Sequence, residues 1–194
     1  MKLYYSPGAC SLADHIALHE AGLAFEHEKV DLKAKRTESG ADFLAVNPKG
    51  YVPVLVTDEG ETLTENVAIL DWIGSQAPTL MPPVPLARTR LLEVLAYVSS
   101  ELHKAFKPFF ANGSDAEKAK AGEAIRKRLD YLAGRMTGTY LFGDAPSAAD
   151  CYLFVMLQWC GKQGIEVPAK LAALREAMMA RPAVEKALRH ERLI

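Results

Sequence analysis

Apolar and polar positions repeat along this chain at two different periods, and the change of period divides it. Residues 2–5 and Phe25 to Leu32 alternate well enough for strands. Between them, residues 11–21 carry an apolar repeat at helical spacing, which Gly22 ends at the usual C-cap place. A strand, a helical crossover and a second strand make the two strands parallel. Ala34 to Gly40 is polar, with Lys33, Lys35 and Arg36 in or beside it, and reads as a solvated loop. A short helical piece around Asp42–Val46 follows, then the turn Asn47-Pro48-Lys49-Gly50. Tyr51 to Val56 reads as a strand with Pro53 inside it. Proline cannot donate to a ladder, so the edge of that strand must be used for something else. Asp58-Glu59-Gly60 turns the chain into Glu61–Thr64, and Glu65-Asn66 open a helix that ends at Gly74 and Pro78.

The order β-α-β-(short α)-β-β-α over roughly the first 77 residues predicts a thioredoxin-like arrangement, a parallel pair followed by an antiparallel hairpin with helices on both faces. Residues 78–85 are a proline-rich linker. From Leu86 onward the strand signals vanish. Helical patterns run through Leu86–Phe106, Ser114–Thr137, Ala148–Lys162, Leu171–Ala180 and Ala183–Arg189. The expected fold is therefore an α/β thioredoxin-like domain (1–77), a linker (78–85) and an all-α domain (86–194).

Composition narrows the class of function. The 194 residues are 49% hydrophobic and 24% charged, with a formal net charge of −1. That suits a soluble globular protein and gives no field to attract nucleic acid or anionic lipid. The longest apolar run, Cys151 to Leu157, is too short to span a bilayer and reads as a buried helix. No signal peptide is expected, because one lysine and a brief apolar pair lead directly into turn residues, and the expected location is cytoplasmic. The three cysteines show no framework spacing. Cys151 and Cys160 fall on opposite faces of one helix about 13 Å apart, so they cannot bridge and read as core residues. Cys10 has no second cysteine two or three positions on, which excludes a dithiol centre.

Cys10 lies where strand gives way to helix, in Tyr4-Tyr5-Ser6-Pro7-Gly8-Ala9-Cys10-Ser11-Leu12. Unpaired N–H groups and the positive end of the helix dipole would lower its thiol below the ~8.5 of a free cysteine. A small buried core residue is the alternative at this point.

Four segments in register, together with the architecture, resemble the glutathione S-transferases, and the bacterial beta class in particular. They are Tyr4–Leu12, Asn47-Pro48-Lys49-Gly50-Tyr51-Val52-Pro53-Val54-Leu55, Leu63-Thr64-Glu65 and Ser99-Ser100-Glu101-Leu102-His103-Lys104. The resemblance covers essentially the whole chain. It implies glutathione as co-substrate, no metal, a hydrophobic electrophile as second substrate and a homodimer, with neither nucleic acid nor membrane as partner. Cys10 would sit at the reacting sulfur, with Tyr5 and Ser11 as further candidates to hydrogen-bond a thiolate. Val52, in a cis peptide with Pro53, would lend its backbone to the tripeptide as an added strand does. Glu65 would take the ammonium and Asn66 the γ-glutamyl carboxylate at a helix N-terminus, although relatives usually place serine or glycine after this glutamate. Lys35 matches the position that reaches the glycine carboxylate. His103 lies on a helical stripe with Glu93, Ala96, Ser100 and Lys107, opposite the apolar stripe Leu91, Leu95, Val98, Leu102 and Phe106. By resemblance it faces the thiol site, with Ser100 and Lys104 as further glutathione contacts. Tyr5, Pro7, Phe106, Phe109, Phe110 and residues near Trp159 would line the co-substrate pocket. Ser147 and Asp150 fit a capping box with a structural role.

The expected activity is glutathione conjugation, with thiol–disulfide or peroxidase chemistry through Cys10 beside it. A non-enzymatic ligand carrier or interaction module on the same scaffold is the alternative. Such modules commonly lose the thiol-site residue and the acid at the position of Glu65, and both are present here.

Overall fold

The computed structural model describes residues 1–194. In the first half, strands β1 (Lys2–Tyr5), β2 (Glu26–Asp31), β3 (Arg36–Thr37), β4 (Val54–Val56) and β5 (Thr62–Thr64) form one sheet in the order β3-β2-β1-β4-β5. β1 and β2 are parallel and every other pairing is antiparallel. Helices α1 (Leu12–Glu20), α2 (Phe43–Val46) and α3 (Asn66–Gln76) complete this half. The second half holds α4 (Ala87–Tyr97), a π-helical turn over Val98–His103, α5 (Lys107–Phe110), α6 (Asp115–Arg135), α7 (Ala148–Gln163), α8 (Ala169–Met179) and α9 (Pro182–His190). No helix is long and apolar enough to cross a membrane.

The thioredoxin-like sheet and the all-α second half follow the predicted order, with local corrections. The polar stretch expected as a loop contributes β3, a two-residue edge strand on β2. Period cannot reveal a strand that short. Pro53 lies just before β4 rather than inside it, so the ladder never requires its missing N–H. α3 continues past Gly74 to Gln76, because Gly74 lies against Met81 and Leu91, a close packing position rather than a stop. The helix expected without a break over Leu86–Phe106 changes to π geometry at Val98.

One contiguous core runs through both halves, from Leu3, Ile16 and Leu18 through Ile69 and Leu95 to Phe154, Val155 and Leu188. α1 packs against both α7 and α9, so the first half is seated on the second. α7 is buried without a break from Ala148 to Leu157. Each large side chain so buried contributes about 1.5–3 kcal/mol. The capping box at its start is built as predicted. Asp150 accepts from the Ser147 N–H at 2.8 Å and hydroxyl at 2.7 Å, and also from Leu141 N–H at 2.9 Å. Cys151 and Cys160 are free and buried.

Candidate functional site

The loop after β1 is held in place from several sides. Ser11 Oγ accepts from Ser6 N–H at 3.2 Å, and Asn66 Nδ2 donates to the Cys10 carbonyl at 2.9 Å. Trp159 Nε1 donates to Gly8 O at 2.9 Å, while Gly8 N–H donates to Glu191 Oε2 at 2.8 Å. Gly8 stands at φ +69°, a conformation glycine adopts at little cost. These ties aim Cys10 Sγ at the Val52 carbonyl, 3.7 Å away.

The Cys10 thiol is pushed up to about 12, contrary to the sequence expectation. Burial is the main cause, and the charge of Asp14 adds to it. The N–H groups at the start of α1 do pull it down, as predicted, but desolvation outweighs them. Tyr5 and Ser11 also need correcting as thiolate donors. Tyr5 is buried and its hydroxyl donates to His190 O at 3.4 Å, while the Ser11 hydroxyl serves Ser6. Tyr5 packs beside His15 and His27, so it is walled off from the expected co-substrate pocket as well.

Around this loop lie the other predicted residues of the first half. The Val52–Pro53 bond is cis. Lys35 and Glu65 are two of five non-glycine residues at positive φ, a conformation kept only where the surroundings enforce it. Lys35 Nζ donates to Gly50 O at 2.6 Å. Glu65 Oε1 accepts from Lys49 Nζ at 2.6 Å and Tyr51 Oη at 2.8 Å, and these two hold its carboxyl below the ordinary range. Asn66 is buried at the start of α3, and its Oδ1 has no partner within the chain. Its Nδ2 holds the Cys10 loop, so the side chain positions the thiol segment.

His103 is half-buried, not exposed on a polar stripe, and burial lowers its imidazole. The π turn widens the helix at this point, a distortion found frequently at functional sites. His103 Nδ1 lies 2.7 Å from Tyr152 Oη. The Tyr152 phenol is raised by burial and by Cys10. Trp159 meets the His103 ring edge-on with centroids 4.9 Å apart, and the same indole holds the Cys10 loop through Gly8. Ser99, His103, Lys104, Lys107, Phe110 and Ala111 line an adjoining depression of about 450 Å³. Phe106 is buried beneath it. Ser100 opens instead on a second depression, between the π turn and α6, which Lys104 also borders.

Comparison with known proteins agrees with this arrangement. The family model for the N-terminal domain of glutathione S-transferases matches residues 9–76, and that for the C-terminal domain matches residues 91–182. The chain belongs to the glutathione S-transferase family. It is 41% identical to glutathione S-transferase GstA of Escherichia coli O157:H7 over the full length of both chains. A sphingomonad glutathione S-transferase solved in complex with glutathione is 50% identical with a TM-score of 0.91, covering 100% of each chain. The bacterial beta class glutathione S-transferase of Sphingomonas chungbukensis is 47% identical at the same TM-score and coverage.

In this transferase, sequence reasoning missed Tyr152 and Asp14. Tyr152 sits in a helix that reads as pure core, and its hydroxyl is legible only once His103 is placed against it. Asp14 lies four residues after Cys10, one helical turn on, fully buried with both oxygens unpartnered. Burial raises its carboxyl well above the usual range.

Proposed function

We propose that this transferase conjugates glutathione to hydrophobic electrophiles in the cytoplasm, as a homodimer. The observation that carries the reading is the convergence of Cys10, the Val52 carbonyl and the Glu65–Asn66 start of α3 at one end of the strands β1, β4 and β5. Residues 1–77 would bind glutathione, 78–85 would link the halves, and 86–194 would supply the second pocket. The tripeptide would lie along Val52–Pro53 as an added strand. Its γ-glutamyl carboxylate would take the free N–H groups of α3, with Glu65 on the ammonium and Lys35 on the far carboxylate. The glutathione thiolate attacks the electrophile, forming a sulfur–carbon bond as the leaving group departs. Cys10 and His103 would hydrogen-bond that thiolate, and Lys104 borders both depressions. The electrophile would occupy the depression beside Phe110. For the homodimer, the supporting feature is a larger apolar groove of about 590 Å³ between α4 and α6. It is lined by Leu86, Val94, Tyr97 and Tyr131, and by no residue of the thiol site.

A thiol–disulfide or peroxidase activity would run through Cys10, whose sulfur would displace one glutathione from its disulfide. The protonated thiol of the resting protein favours conjugation as the main reaction. Intact mass after incubation with glutathione disulfide, alongside turnover of a chromogenic aryl halide, separates the two. With conjugation dominant, parent and Cys10→Ala both lack an adduct, and Cys10→Ala turns over roughly 10-fold slower. An adduct on the parent alone makes redox chemistry the main activity. No aryl halide turnover and no glutathione binding by the parent would overturn the reading in favour of a carrier or interaction module.

A further inference from the structure

Four of the five histidines, His15, His19, His27 and His190, gather away from the thiol site, where α1, β2 and the end of α9 meet. His15 Nε2 lies 3.2 Å from His190 Nδ1, and His19 Nε2 lies 3.4 Å from the same atom. One nitrogen each from His15, His27 and His190 lie within 4.8 Å of one another. Ligands at about 2.0–2.1 Å from a tetrahedral zinc stand about 3.3 Å apart along an edge, close to the 3.2 Å between His15 and His190. On its far side His15 Nδ1 lies 3.0 Å from Glu191 Oε1, and Glu191 is anchored in turn by Gly8 N–H. A carboxyl group hydrogen-bonded to the outer nitrogen of a histidine is the usual partner that orients a metal-bound ring.

We propose that His15, His27 and His190 bind a divalent transition-metal ion of the zinc type, with Glu191 orienting His15 and His19 within reach as a fourth ligand. Imidazole sets of this kind suit zinc, copper, nickel and cobalt in preference to calcium or magnesium. Lys186 is the opposing charge, acting on His15, His19 and His190 from α9. His27 and His190 are only partly buried, which leaves an entry path, while Tyr5 and Phe25 wall the inner side. The ion would cross-link both halves of the chain, with Glu191 joining the cluster to Gly8 of the thiol loop. This departs from the expectation of a metal-free protein.

The test uses the full-length chain without an affinity tag, stripped by a chelator and titrated with Zn²⁺ against a chromogenic competitor. The expected result is one ion per chain, tetrahedral visible bands when Co²⁺ is substituted, and a melting temperature that rises with Zn²⁺. His27→Gln and His190→Gln should weaken binding by at least roughly 100-fold, and Glu191→Gln by about 10–100-fold. His103→Gln, which removes the one histidine outside the cluster, should stay within about 2-fold of the parent. His27 is the most open ligand, so His27→Gln keeps the test decisive should a variant at His190 fail to fold. Absence of saturable Zn²⁺ binding would overturn the proposal. Parent-like binding by a folded His27→Gln would do the same, since the ion would then be held adventitiously elsewhere.

Discussion

At the Cys10 sulfur, two effects of known sign oppose each other. Helix N–H groups favour the thiolate and burial favours the thiol, and the thiol raised to about 12 shows that burial prevails. Cys10 in the resting protein should therefore react with iodoacetamide at pH 7 at least roughly 100-fold slower than free cysteine. Intact mass against time measures this, and a rate equal to or above that of free cysteine would contradict it. Cys10 itself was legible in the sequence, because a turn followed by an apolar helical repeat places it. Its protonation state was not, because desolvation depends on Val52, Asp14 and the α7 residues that fold over it. Glu65 behaves in the opposite way. It is only lightly covered and keeps its charge beside Lys49 and Tyr51.

The start of α7 shows what one helix end contributes. The Asp150 carboxylate is fully buried, accepts three hydrogen bonds and is raised to about 6 by burial. Replacing it with alanine orphans buried donors and should cost about 3 kcal/mol, against about 1 kcal/mol for Ser147→Ala. Chemical denaturation would show both, and equal midpoints for parent and Asp150→Ala would refute the account. Because the folded-state value is above the unfolded one of 3.8, the folded protein holds an extra proton between the two. This group's contribution is complete below about pH 4 and is lost as pH rises through 6. The stability of the parent relative to Asp150→Asn should accordingly shrink from pH 4 to pH 7. A constant difference across that range would count against the assignment. This cap was readable from Ser147-Ala148-Ala149-Asp150 because it is local. The π turn three elements earlier was not, because tertiary packing of Leu102 and Phe106 selects it over a regular helix.

Across the whole molecule, α1 is the joint. Its Glu20 receives Arg181, at the start of α9, through two bonds of 2.5 and 2.7 Å, and its inner face is shared with α7. Arg181→Met should cost about 1–3 kcal/mol, with the loss diminished in high salt. Urea midpoints at two ionic strengths would test this, and an unchanged midpoint would show that packing alone docks α9. Only the helix identities at this joint could be anticipated, because Glu20 and Arg181 are 161 residues apart and carry no local signal. The histidine cluster has the same origin, since His15, His27 and His190 come from three elements that meet only in the folded chain. The sequence by itself determined the order of elements, the parallel first pair, the core helix α7 and the segments that mark the family. Each of these is written in periodicity, turn chemistry or a short contiguous motif. Tertiary structure decided the Cys10 thiol, the partner of His103, the withdrawal of Tyr5 and Ser11, and the gathering of the histidines. Those depend on burial and on contacts between distant segments, which exist only after the core has closed.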